Sequence, residues 1–165
     1  MRIAFLGLGL MGEGFTRRLI ELGHDVSGFD PKAERRADAR GWGVAAAETP
    51  AAAAEGAELV MTCVTTTDDL ETALFGDDGA AAALSAEAVL VDFSTTVVAR
   101  TKSMAERLKS ERGAGWVDAP VSGGPPAARA GKLAIMMGGA ESDVGRARPV
   151  LEGLAASLVH LGPVG

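Results

Sequence analysis

A doubly wound α/β domain, with a mainly parallel sheet and helices on both faces, is the architecture this chain's pattern implies. Short apolar runs alternate with polar or amphipathic stretches of about ten residues, as βαβ units require. Glycine is abundant, 22 of 165 residues, and it is clustered at two loops, Gly7–Gly12 and Gly123–Gly124. The length suits one domain, residues 1–165, because a chain of this size buries about 70% of its unfolded surface.

The elements can be taken in order. Arg2–Gly7 reads as a buried strand and Met11–Leu22 as a helix, with Met11, Phe15 and Leu19 on one face and Gly23 ending it. Asp25–Phe29 is a second strand, Pro31–Arg40 a polar helix, and Val44 opens a short third strand. Thr49 and Pro50 form a cap and first helical residue before Ala51–Glu55. Strands are expected at Glu58–Val64, Ala88–Phe93, Gly115–Ala119, Leu133–Met137 and Ser157–His160. Helices are expected at Asp68–Leu74, Val97–Arg112 and Ser142–Leu154, with a turn at Asp77–Gly79. The alanine runs read as helix-forming filler.

Composition excludes several classes. Sixteen Lys and Arg stand against 22 Asp and Glu, a net charge of −6, which argues against nucleic acid as a partner. The single Cys63 and two histidines, His24 and His160, leave no metal site and no internal disulfide. No run approaches the roughly 18 apolar residues of a membrane span. A cytoplasmic domain with no signal peptide is expected.

The first glycine cluster, Gly7-Leu8-Gly9-Leu10-Met11-Gly12, lies between a strand and an amphipathic helix, which is the context a dinucleotide loop needs. Gly7 allows the tight turn, Gly9 the approach of a pyrophosphate, and Gly12 close packing of helix on strand. Asp30, eighteen positions past Gly12, ends the second strand where a ribose-binding acid is wanted. Treated as a half-exposed site, a carboxylate there would repel the 2′-phosphate of NADP by about 4 kcal/mol at about 4 Å, so NAD is expected over NADP. Lys32, Arg35 and Arg36 are the nearby cations that oppose this expectation, and an Asp30 cap on the next helix is compatible with it.

The second cluster is Asp118-Ala119-Pro120-Val121-Ser122-Gly123-Gly124, followed by a short helix starting at Pro125 or Pro126 and ending at Gly131. Successive glycines expose backbone N–H groups and make an anion nest. A small carboxylate or phosphate on the substrate side fits it.

Together these motifs make the chain resemble the β-hydroxyacid dehydrogenase family, which includes 3-hydroxyisobutyrate dehydrogenase and, more distantly, 6-phosphogluconate dehydrogenase. The resemblance rests on GLGLMG at Gly7–Gly12, GHDV at Gly23–Val26, DFSTT at Asp92–Thr96, DAPVSGGPPAARAGKLAIMMGG at Asp118–Gly139 and GPVG at Gly162–Gly165. It implies a Rossmann-type fold and a hydride transfer between NAD(H) and a small 3-hydroxy acid or its aldehyde. It implies that Gly7, Leu8, Gly9, Leu10, Met11 and Gly12 hold the pyrophosphate, and Asp30 the ribose. Val64 and Thr65 would meet the cofactor where the family usually has Leu-Pro. Thr95 would sit near the nicotinamide, and Ser122, Gly123 and Gly124 would hold the substrate carboxylate. The family's catalytic lysine follows GPVG, on a C-terminal helical domain that also forms the dimer, so no catalytic residue is expected within residues 1–165. Lys132 stands where relatives commonly carry Thr and reads as surface. The alternatives are an imine reductase N-terminal domain and a non-catalytic NAD-sensing module.

Cys63, Met136 and Met137 read as buried strand residues, Trp42 and Trp116 as packing residues, and Glu106–Arg112 as a solvated helix face. His24 is expected to serve the terminus of the first helix, and no role is expected of His160.

Overall fold

The computed structural model describes residues 1–165. The chain begins with β1 (Arg2–Leu6), α1 (Leu10–Glu21), β2 (Asp25–Phe29) and α2 (Ala33–Gly41). Next come the two-residue β3 (Ala45–Ala46), α3 (Pro50–Ala54), β4 (Leu59–Thr62) and α4 (Thr67–Phe75). A 3₁₀ turn over Ala80–Ala83 leads to β5 (Val89–Asp92), α5 (Val98–Arg112) and β6 (Gly115–Asp118). The last third holds β7 (Val121–Ser122), α6 (Gly124–Ala130), β8 (Leu133–Gly139), α7 (Glu141–Leu151) and β9 (Ala155–Gly162).

All nine strands join one sheet in the order β3-β2-β1-β4-β5-β6-β8-β7, with β9 also on β8. The pairs from β3 through β6 are parallel. β8 runs antiparallel to β6 and β7, and β9 runs parallel to β8. β6 and β7 lie along the same edge of β8, interrupted at Ala119–Pro120, where the Met136 N–H donates to the Pro120 carbonyl at 3.1 Å.

The strand order follows from burial on both faces. Along β1, Ile3 and Phe5 enter one apolar cluster while Ala4 and Leu6 enter the other. The first cluster takes Phe15 and Leu19 of α1 and Val144 and Leu151 of α7. The second takes Leu70 and Leu74 of α4 and Met104 and Leu108 of α5. A strand covered on both sides has no use for polar alternation, so these strands are continuously apolar. Three phenylalanines form the centre of the first cluster: the Phe15 ring lies 4.4 Å from Phe93 and 5.4 Å from Phe5.

Several expectations are corrected. The last strand is not the four-residue Ser157–His160 but the eight-residue β9, because it pairs along nearly all of β8. β7 is a strand, not loop, while the alanine run Ala80–Ala83 forms a 3₁₀ turn, in keeping with alanine as a helix former. α7 stops at Leu151, with Pro149 in its last turn, rather than at Leu154. Cys63 lies just past β4, only partly buried. Met136 is exposed while Met137 is fully buried, since successive strand residues face opposite ways and helices cover only one side of β8. Glu106–Arg112 is solvated except for the buried Leu108.

Phe15 is fully buried among aromatic partners. Phe15→Ala is expected to cost about 3–5 kcal/mol, the range for a truncated core aromatic. Urea denaturation of the two chains measures it, and a cost under about 1 kcal/mol contradicts this picture of the core.

Candidate functional site

The turn from β1 into α1 is closed by glycines that have no room for a side chain. Gly7 sits at φ +99°, and a Cβ on it would overlap the Cys63 carbonyl oxygen on β4's exit. A Cβ on Gly12 would overlap the Gly7 carbonyl oxygen. α1 is thereby held hard against the ends of β1 and β4. Gly9 differs: the nearest atom a Cβ would meet is the Arg35 guanidinium, at 3.0 Å. Gly9 is the helix N-cap and has no side chain capping it. The first-turn N–H groups of α1 therefore have no side-chain acceptor, and they sit at the positive end of a 12-residue helix. Leu10 is 77% exposed beside them, and Met11 packs partly against the core.

Asp30 is buried, 2% exposed, rather than half-exposed as the sequence argument assumed. Its Oδ2 accepts from the Leu8 N–H at 2.9 Å and its Oδ1 from the Lys32 N–H at 3.0 Å. It therefore fastens the glycine loop to the start of α2, whose N-cap is Lys32 rather than Asp30 itself. Arg35 approaches Asp30 Oδ2 at 3.4 Å. Arg36 is already committed: it donates to the Asp30 and Pro31 carbonyls and pairs with Glu48 at 2.6 Å. Of the three neighbouring cations, the Lys32 side chain makes no ion pair, and Arg35 holds only its 3.4 Å pair with Asp30.

The exits of β4 and β5 are joined by polar side chains. The Thr62 hydroxyl donates to Asp92 Oδ1 at 2.8 Å, and the Ser94 N–H donates to the same oxygen at 2.9 Å. The Val64 N–H in turn donates to the Ser94 hydroxyl at 3.0 Å. Further on, the Val97 N–H donates to Thr67 at 3.0 Å, and Thr96 and Thr101 share a 2.7 Å hydrogen bond. Thr66 closes a capping box with Asp69 at the start of α4. Val64 and Thr65 thus sit on a pinned loop although no proline stiffens it. Thr65 and Thr95 are exposed on the two exits. Asp92 is 1% exposed, its Oδ2 has no partner, and burial pushes its carboxyl above the ordinary range. An unsatisfied buried polar atom costs about 1–3 kcal/mol.

The second glycine cluster is brought alongside the first by α6. Gly123 at φ +134° and Gly124 at φ +71° adopt backbone conformations that side chains rarely allow. Pro125 and Pro126 follow in the first turn of α6. α6 packs on α1 at Gly14, where a Cβ would stand 3.0 Å from Ala128 Cβ and 3.0 Å from the Pro125 carbonyl. Ser122 and Gly123 are exposed at this point and Gly124 is partly so. Sequence reasoning missed Gly14, Thr62 and Asp92. The signals were a glycine inside a helix and a Thr and an Asp ending two otherwise apolar strands.

The histidines, Trp42 and Cys63 make local contacts. His24 serves α1 through its backbone N–H to the Leu19 carbonyl, not through charge; burial and then the N-terminal ammonium hold its imidazole below the ordinary value. His160 Nε2 lies 2.9 Å from both the Gly139 and Gly162 carbonyls. The Trp42 indole N–H donates to Thr16. Burial, and then the charge of Asp92, pushes the Cys63 thiol up to about 11.

The parallel sheet, the glycine turn and the acid ending β2 together define a dinucleotide-binding domain of the Rossmann type. Residues 2–162 match the family described as the NAD binding domain of 6-phosphogluconate dehydrogenase, and the chain belongs to that family, within the β-hydroxyacid dehydrogenases. It is 36% identical over 163 residues to 3-hydroxyisobutyrate dehydrogenase of Pseudomonas aeruginosa, covering 99% of this chain and 54% of that relative. The solved structure of 3-hydroxyisobutyrate dehydrogenase from Mycobacterium tuberculosis, with L-serine, superposes with a TM-score of 0.91 at 39% identity. That match covers 99% of this chain and 55% of that one. The imine reductase of Streptomyces aurantiacus shares the fold, with a TM-score of 0.88 at 22% identity over 99% of this chain and 56% of its own. The chain spans about half the length of the curated relatives it matches.

Two measurements test this geometry. Alanine at Gly14 gains up to about 1 kcal/mol of helix propensity but meets backbone and Cβ at 3.0 Å, inside ordinary contact distance, and overpacking costs about 1–3 kcal/mol. Gly14→Ala is therefore expected to destabilise in urea denaturation. Gly145→Ala in α7, with nothing within 4 Å, is expected to stabilise by about 0.5–1 kcal/mol. The reverse order contradicts the α1–α6 contact. For Cys63, the thiolate is the reactive form. At pH 8 iodoacetamide should alkylate the folded chain about a hundredfold more slowly than the urea-unfolded chain, and equal rates contradict its burial.

Proposed function

We propose that this chain is the cofactor-binding half of an oxidoreductase that transfers a hydride between NAD(H) and a small 3-hydroxy acid or its aldehyde. The observation that carries the reading is the alignment of loops along one edge of the sheet. Asp30 follows β2, the glycine turn follows β1, Val64–Thr65 lie beyond β4, Thr95 lies beyond β5, and Ser122–Gly124 lie at the end of β7. In α/β sheets ligands lie along the carboxyl ends of the strands, where the strand order reverses. Here β1 is that point, with β2 on one side and β4 on the other. A dinucleotide would then run from adenosine over β2 to nicotinamide over β4 and β5, with the substrate beside β7.

The residues present fit such a cofactor. Gly9 leaves a place that only the flexible end of Arg35 fills, and the uncapped start of α1 suits a pyrophosphate. Asp30 would take the ribose hydroxyls once Arg35 swings away. Leu8, Leu10 and Met11 complete the loop around the phosphates. When bound, the nicotinamide ring supplies the hydride acceptor or donor. Ser122, Gly123 and Gly124 would hold the substrate carboxylate with the serine hydroxyl and backbone N–H groups, since Pro125 and Pro126 have none to offer. Such a nest has nothing to offer a neutral cyclic imine, which separates this reading from an imine reductase.

Proton exchange with the alcohol oxygen is assigned to the lysine that follows GPVG in the family. Of this chain's lysines, Lys109 donates to the Gly113 carbonyl at the end of α5, and Lys132 is exposed on the surface. The whole protein is read as a cytoplasmic homo-oligomer joined through a C-terminal helical domain.

NAD is favoured over NADP because the buried Asp30 carboxylate faces the position of a 2′-phosphate and Arg36 is already paired. Calorimetric titration should give NADH an affinity at least tenfold above NADPH, about 1.4 kcal/mol. Asp30→Ala should weaken both, since the loop loses its fastening, and should narrow the ratio. A small 3-hydroxy acid should bind the NAD+-loaded chain and not the bare one. Tighter NADPH overturns the NAD assignment in favour of Lys32 and Arg35. Binding of neither nucleotide overturns the dinucleotide reading.

A further inference from the structure

The exits of β4 and β5 meet at one side chain that the cofactor loops do not include. Asp92 Oδ1 accepts from the Thr62 hydroxyl of β4 and from the Ser94 N–H of its own exit. Ser94 passes the connection on by accepting from the Val64 N–H. Thr62 and Asp92 are direct neighbours in the parallel register, so their side chains emerge on the same face of the sheet. Four consecutive partners thus lock two crossover loops together, each of which carries one exposed threonine, Thr65 or Thr95.

We propose that Asp92 is a positioning residue for the nicotinamide end of the site, holding the Val64–Thr65 and Ser94–Thr95 loops at one mutual spacing through its hydrogen-bond acceptor Oδ1. This rests on the dinucleotide reading above. Three features favour positioning over plain packing. An apolar residue would fill this place with less desolvation, yet a carboxyl stands there with Oδ2 buried and unpartnered. The adjoining β4 loop, Val64–Thr65, contains no proline to fix its backbone, so side-chain hydrogen bonds supply the rigidity. The acceptor also lies toward β5, the opposite side of β1 from Asp30, so its influence falls on one end of the ligand only.

That asymmetry provides the test. NADH and ADP-ribose share adenosine, pyrophosphate and the second ribose, but ADP-ribose lacks the nicotinamide. Affinities of the full chain for both are measured by calorimetry in wild type, Asp92→Ala and Asp92→Asn. Wild type is expected to bind NADH more tightly than ADP-ribose. Asp92→Ala is expected to lose tenfold or more for NADH with ADP-ribose changed by less than twofold. Asp92→Asn keeps an oxygen acceptor and is expected to restore most of the difference. Should Asp92→Ala fail to fold, Thr62→Val and Ser94→Ala each remove one link and should each lower NADH affinity selectively. Equal losses for the two ligands, no loss, failure of Asp92→Asn to rescue, or equal wild-type affinities each overturn the proposal. Wild type that binds neither ligand overturns the dinucleotide reading instead.

Discussion

α1 approaches the ends of β1 and β4 so closely that two positions in its turn admit no side chain. Gly12 lies against the Gly7 carbonyl, and Gly7 against the Cys63 carbonyl. With those contacts made, the start of α1 points at the crevice between β1 and β4, and its unpaired N–H groups are aimed at whatever occupies it. The aromatic cluster of Phe5, Phe15 and Phe93 lies beneath, on the same side of the sheet. A bulkier turn would lift α1 from that cluster, so core packing and ligand geometry depend on the same pair of glycines. The contact with α6 is a third such approach, at Gly14 on the same helix.

Around this turn the loops are held by short polar links at the ends of the strands. Asp30 ties the glycine loop to α2, and Asp92, Thr62 and Ser94 tie β4 to β5. Each link contributes about 1 kcal/mol, small beside the burial of a phenylalanine. Their value lies in direction: a hydrogen bond fixes distance and angle where apolar contact fixes only proximity. Side chains left free on this edge, Leu10, Thr65, Thr95 and Ser122, are exposed beside backbone that is firmly placed.

Much of the fold was legible because its causes are local. Apolar runs such as Leu59–Thr62 and Val89–Asp92 are buried on both faces, as strands of a parallel sheet between helices are. The glycine turn was legible from its spacing between a strand and a helix. β7 and the full length of β9 were not, because both exist only by pairing with β8. AASLVHLG has no alternation that survives one open face, and a two-residue strand has no period at all. Met136 and Met137 are identical in sequence and opposite in exposure, since only packing decides which face a helix covers.

By itself the sequence determined the α/β class, the two glycine turns and the acid at the end of β2, because those follow from backbone conformation and short-range spacing. Tertiary structure decided that Asp30 is buried and doubly bonded, that Arg36 is spent on Glu48, and that Asp92 reaches Thr62 across a separation of 30 residues. It also decided that α6 sits on α1 at Gly14. Each of these depends on which strands become neighbours. Strand neighbours are chosen by the burial of whole faces, a property that no local stretch of chain contains.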